Sequence, residues 1–276
     1  MSFWLVTLFF IKIVSMGFRL TNTIYYRTLA TGGYVVFEEM QNKSTYEYLE
    51  QIALVKTEEK DVTTVPNTEE PAEQAAEPVT PKYDFNKLKE INPDITGYLE
   101  GSSLSMPYPV VKTTDSTYYL SHAADGKLSV LGSICLDANA DMNNQVSIIY
   151  GHNTTDGSMF GNLNEYKNKS YMDSNPTFTY YDETGVYQFD VFANIVDDNI
   201  STSFSSSEEY NNYLNTIKAN SIASRDIEVD SDDHIVVLYD CLESWEKTVN
   251  NRANRNLVVA KVTKVLDYEL TQTKTK

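Results

Sequence analysis

SIIYGHNTTDGSMFGNLNEY, residues 147–166, packs a strand end, a histidine, a turn and a helical pattern into one short stretch. Its first half is an apolar run that ends in Tyr150, Gly151 and His152. Its second half turns through Asp156 and Gly157 into a helical pattern with Met159, Phe160, Leu163 and Tyr166 on one side. A histidine placed where a strand gives way to a loop is a common position for a working imidazole. A lone histidine is at least as often structural, bonded to a nearby carbonyl. The balance is tipped by a second stretch, IVVLYDC at 235–241. This apolar run ends on one of only two cysteines, with Arg252 and Arg255 just beyond.

The chain has 276 residues, enough for one sizeable domain with appendages or for two small domains. Two cysteines cannot build a disulfide framework, so folding rests on packing. With 39 acidic against 22 basic residues the net charge is -17, which argues against a nucleic-acid partner, whose phosphates demand a positive face. His122 and His234 have no partners at metal-ligand spacing, and neither Cys-x-x-Cys nor His-x-x-x-His occurs, so a zinc site is not expected.

Residues 3–18, FWLVTLFFIKIVSMGF, are the most apolar window, short for a transmembrane helix of about 20 residues and with Lys12 inside. A cleaved signal, a retained signal-anchor and a buried helix compete for it; no small-x-small cleavage site follows. Residues 19–55, juxtamembrane if the window before them is an anchor, mix apolar and polar positions, and Tyr46, Leu49, Ile52 and Leu54 suggest a short amphipathic helix. From 56 to 82 the composition breaks: many acids, and four of the chain's eight prolines. Such a stretch buries too little to offset its ordering entropy and is expected to be an extended linker. The folded domain is then expected from Tyr83 onward, so that a chain beginning near Lys82 folds alone. Asp84 can cap a helix bearing Phe85, Leu88 and Ile91. Short apolar runs at Ser129–Leu136, Gln145–Tyr150, Ile235–Tyr239 and Asn256–Val265, and alternation over Val186–Ala193, predict strands. Helices are expected at Ser158–Tyr166 and after the capping box Ser206-x-x-Glu209, where Tyr210, Tyr213, Leu214 and Ile217 share a face. Many strands with few helices point to a mostly β fold, a closed or nearly closed barrel.

YGHN followed by GSMFGNLNEY resembles the histidine segment of the class B sortases, the cysteine transpeptidases of Gram-positive cell surfaces. Further blocks are similar in order and spacing: NPDITGYLE at 92–100, YPVVKTTDSTYYLSH at 108–122, GSICLD at 132–137, PTFTYYDETGVYQFDVFA at 176–193 and SSEEYNNYLNTIKANS at 206–221. The likeness covers roughly residues 84–266. It implies a sortase-type β-barrel with an N-terminal helix, a helix in the connection before the cysteine strand, and a catalytic domain (83–276) outside the cell. It also implies that residues 1–18 are a single-pass membrane anchor.

The resemblance implies three catalytic residues. Cys241 ends its strand as the nucleophile, where the family motif Thr-Leu-x-Thr-Cys is here Val237-Leu238-Tyr239-Asp240-Cys241. Both threonines are replaced, and Asp240 brings a carboxylate beside the thiol. Paired with Arg252 or Arg255 it would orient an arginine; the expectation is instead that it opposes thiolate formation, since the family works with a threonine there and needs no such pair. His152 is the acid that protonates the leaving amine. The third residue is an arginine that binds the developing oxyanion. The class B pattern would put it at Asn256; Arg255 is one residue early, which in a strand means the opposite face unless a bulge intervenes. Arg255 is taken as that arginine, with Arg252 in reserve. Asn153, Tyr239 and Asp240, flanking the histidine and cysteine, are expected to contact substrate. Cys135, mid-run, is expected to be core packing.

The chemistry so implied is cleavage of a C-terminal sorting signal similar to Asn-Pro-x-Thr-x through a thioester. Transfer then follows to an amine of a peptidoglycan precursor or a pilin, by a monomer needing no metal or cofactor. Two other outcomes stay open: a barrel that binds peptide without catalysis, and a cysteine hydrolase that releases peptide to water.

Overall fold

The computed structural model describes residues 33–55, 81–115, 117–154, 156–197, 199–241 and 255–268, with the backbone alone at 33–40, 42 and 241. The expected anchor and the expected linker as far as residue 80 lie outside these residues. The described residues divide between Ser44 and Thr45 into two compact units.

The strands are β1 (Ile95–Gly101), β2 (Tyr108–Val111), β3 (Ile134–Leu136), β4 (Val146–His152), β5 (Thr177–Tyr181), β6 (Gly185–Asp197), β7 (Ala223–Ser224), β8 (His234–Cys241) and β9 (Arg255–Asp267). They run in the order β5-β1-β2-β3-β4-β8-β9-β6-β7, and β5 also pairs with β6. Eight strands therefore close into a barrel, with β7 on its margin, as the many short apolar runs led us to expect. β4 and β8 are parallel neighbours, and β9 is antiparallel to both β8 and β6.

Helices α1 (Gly33–Ala53), α2 (Phe85–Ile91), α3 (Lys169–Ser174) and α4 (Ser207–Ala219) complete the described elements, with 3-10 turns at Tyr118–Leu120 and Gly161–Lys167. Two helix starts follow from their caps. The Asp84 carboxylate accepts from the Lys87 amide, and the Ser206 hydroxyl accepts from the Glu209 amide. The Glu209 carboxylate returns to the amide and hydroxyl of Ser205, one residue before the cap, instead of closing the box on Ser206.

Strand alternation divides the apolar residues into two cores. Leu99, Val110, Ile149, Phe189, Val236, Leu238 and Val258 fill the barrel. On the outer face Val146, Ile235, Val237, Leu257 and Val259 meet Tyr210, Leu214 and Ile217 of α4. The Tyr210 hydroxyl reaches the carbonyls of Gln145 and Asp233 at 2.9 and 3.2 Å, which pins α4 to the starts of β4 and β8.

Three local expectations are corrected. Only Ile134–Leu136 of the Ser129–Leu136 run is strand, because Gly132 takes a left-handed turn (φ 57°) before it. The helix expected at Ser158–Tyr166 is a 3-10 turn at Gly161–Lys167, preceded by Met159 at φ 50°, a conformation that no helix continues through. The folded unit also begins earlier than Tyr83. Tyr46, Leu49 and Ala53 are buried with the barrel core, and the Tyr46 hydroxyl donates to the Gly132 carbonyl at 3.1 Å. Val55 and Asp84 exchange backbone bonds with Lys82 and Ala53, so the composition break is an insertion within the unit. Burial of Tyr46 and Leu49 contributes about 1.5–3 kcal/mol each. A chain beginning at Lys82 is therefore expected to melt on the order of 10 °C below one beginning at Thr45. Equal midpoints in a thermal scan would show the helix to be dispensable.

Candidate active site

The register of the central strands builds the site. In the parallel β4–β8 pair, Tyr150 lies opposite Tyr239, Gly151 opposite Asp240 and His152 opposite Cys241. In the antiparallel β8–β9 pair, no register shift interrupts the run from His234–Val262 to Asp240–Asn256. Extending that run by one residue sets Cys241 opposite Arg255. His152, Cys241 and Arg255 thus occupy one row across three adjacent strands, at the end where β8 finishes and β9 begins.

Alternation gives this row a face. Ile235, Val237 and Tyr239 on β8, and Leu257 and Val259 on β9, belong to the outer cluster beneath α4. Arg255 has the parity of Leu257 and Val259, which puts it on the α4 side, and Cys241 stands in register two residues after Tyr239. Asp240 and Asn256 have the other parity and are both fully buried. Asn256 accepts from the Asn194 amide at 2.9 Å and donates to the Leu163 carbonyl at 2.9 Å. It therefore ties β9 to β6 and to the turn that follows His152. Of the two neighbours on β9, Arg255 is partly exposed on the α4 side and Asn256 is a buried strut. Asp240, expected to contact substrate, has its side chain fully buried on the inner face.

His152 is partly exposed, and its Nε2 lies 3.0 Å from the Leu120 carbonyl. A carbonyl only accepts, so Nε2 carries the proton and Nδ1 is the ring nitrogen left for chemistry. Leu120 is 32 residues away in sequence, and nothing in its local pattern announces this contact. Gly151 lets the loop fold back beneath the histidine: a Cβ there would sit 2.5 Å from Phe160 and 2.6 Å from Ile134. Phe160 is fully buried against this spot, and its amide donates to the His152 carbonyl at 3.0 Å. Asn153 is bridged to Met159 across the same turn. Tyr239 is partly buried and meets the Tyr150 ring edge-on at 5.2 Å, forming an aromatic floor one step along from the row. Cys135 is 3% exposed in the barrel core, as expected of a packing residue. Arg252 lies outside the described residues. Among the described residues, no group of three or more potential ligands could hold a metal ion.

A cysteine at a strand end, flanked on neighbouring strands by a histidine and an arginine, is an arrangement suited to acyl transfer through a thiol. No family model matches the chain. Individual proteins do. Over 187 residues the chain is 30% identical to sortase B of Staphylococcus aureus, covering 66% of this chain and 75% of that protein. Over 232 residues it is 28% identical to sortase B of Listeria monocytogenes, covering 82% and 89%. A solved Staphylococcus aureus sortase B–substrate complex matches with a TM-score of 0.67 at 28% identity, covering 83% of this chain and 99% of that one. The chain belongs to the class B sortases. It is an enzyme, a sortase B-type cysteine transpeptidase.

Proposed function

We propose that the enzyme cleaves a sorting signal similar to Asn-Pro-x-Thr-x through a thioester and passes the acyl group to an amine. The observation that carries this is the pairing of His152 with Cys241 across β4 and β8, with Arg255 next in line on β9 after the Asp240–Asn256 pair. The Cys241 thiolate attacks the threonine carbonyl, and the oxyanion that forms is held by the Arg255 guanidinium. His152 enters this step as the imidazolium that accompanies the thiolate, gives its Nδ1 proton to the departing amine while Nε2–H stays on the Leu120 carbonyl, and the carbon–nitrogen bond breaks to leave the thioester. An incoming amine, from a peptidoglycan precursor or a pilin, loses a proton to His152, attacks the thioester and releases the thiolate. Asn153 and Tyr239, beside the row, contact the peptide. The apolar window at 3–18 tethers the monomeric enzyme to the membrane, with the barrel on the outer side.

Triglycine tests the second half of this scheme. Added to enzyme and a sorting peptide, it is expected to divert most of the product from acid to the glycine adduct, as read by mass spectrometry. Acid alone at saturating triglycine would mark a hydrolase. Thiol labelling of Cys241 with no turnover of any Asn-Pro-x-Thr peptide would mark a binding module.

A further inference from the structure

The row continues for one more strand. On β6, Asp197 is the cross-strand partner of Arg255. Residues directly opposite in an antiparallel pair share a face, with Cβ atoms about 4.5–5.5 Å apart, well within reach of a guanidinium and a carboxylate. Two further observations place this carboxylate. Its Oδ1 accepts from the Asn199 amide at 3.1 Å, which ties the side chain to the backbone beyond the strand end. The phenol of Tyr213, on α4, is pushed up to about 12, first by burial and also by the charge of Asp197. Ile195, two residues earlier on the same unshifted stretch of β6, belongs to the outer cluster, so alternation sets Asp197 on the α4 side of the sheet.

We infer that Asp197 is a positioning residue that holds the Arg255 guanidinium along the row toward Cys241. The inference rests on Arg255 acting as the oxyanion donor. A donor stabilises charge at a transition state only if it is already aimed there, and arginine has a long stem with several rotatable bonds. A carboxylate takes at most two of the five guanidinium N–H groups and leaves the others for a substrate oxygen. Asp197, itself anchored by the Asn199 amide, supplies a fixed point on the strand that Arg255 already pairs with.

A double-mutant cycle in the full chain tests this, with cleavage of a fluorogenic peptide library built on Asn-Pro-x-Thr as the readout. Asp197→Asn is expected to lower kcat about tenfold with KM within about twofold, and Asp197→Glu to recover most of that loss. In an Arg255→Ala background, Asp197→Asn is expected to change the rate less than about twofold, since no guanidinium remains to be held. Asp197→Ser provides a second removal, so that a folding defect in one variant does not decide the result. Equal losses in both backgrounds, or a wild-type rate for both removals, overturn the positioning role and leave the oxyanion assignment standing. A wild-type rate in Arg255→Ala overturns the oxyanion assignment itself, and the positioning role with it.

Discussion

Replacing Cys241 by alanine is expected to abolish both peptide cleavage and amine transfer, a loss on the order of 10⁵–10⁶-fold in kcat. No other group in the row can form the thioester, because His152 and Arg255 only move a proton and hold charge in the scheme. The control is internal to the protein. Cys135 is 3% exposed within the barrel core and pairs with Val111 and Tyr150, so Cys135→Ala is expected to keep activity within about twofold. A thiol-reactive methanethiosulfonate is expected to label the folded protein at one position, lost in Cys241→Ala and kept in Cys135→Ala. His152→Ala is expected to cost about 10²–10⁴-fold, the span of a lost general acid–base. Transfer activity surviving in Cys241→Ala would place the nucleophile elsewhere.

The second large effect separates two neighbours on β9. Arg255→Ala is expected to reduce kcat/KM by about 10²–10³-fold, or roughly 2.7–4 kcal/mol of barrier, with the melting midpoint unchanged. Asn256→Ala is expected to do the reverse. It leaves the buried Leu163 carbonyl without its amide partner and takes one of two acceptors from the Asn194 amide, the Leu257 carbonyl remaining, a loss of about 2–4 kcal/mol in stability. Its activity at a temperature where it is folded is expected to stay within severalfold of wild type. Rates and urea midpoints measured on both variants decide between the assignments. A benign Arg255→Ala beside a damaging Arg252→Ala would mean that the row ends on the other arginine.

Much of this protein is local and therefore legible in the chain itself. The caps at Asp84 and Ser206 act within three residues. The apolar run Ile235–Tyr239 suits a strand covered on both sides, by the barrel core and by α4. A histidine ending one such run and a cysteine ending another were visible as candidates before any pairing was known. Other features depend on which strands meet. β1, β2 and β5 mix Gly, Pro, Thr and Glu with aromatics, and their extended form is sustained by ladders to partners up to about 80 residues away. Alternation alone says that Arg255 and Asn256 face opposite ways; only the β8–β9 register, with α4 on one side, says which of them faces the cysteine. The same parity buries Asp240, which a linear reading sets beside the nucleophile as if it shared its surroundings. Tyr46 and Leu49 join the core across an acidic, proline-rich break, because packing is indifferent to how many residues intervene while composition windows are not. The residue types came from the chain, but their meeting at one strand end was decided by tertiary structure, since only sheet register converts positions about 90 and 14 residues apart into neighbours about 5 Å apart.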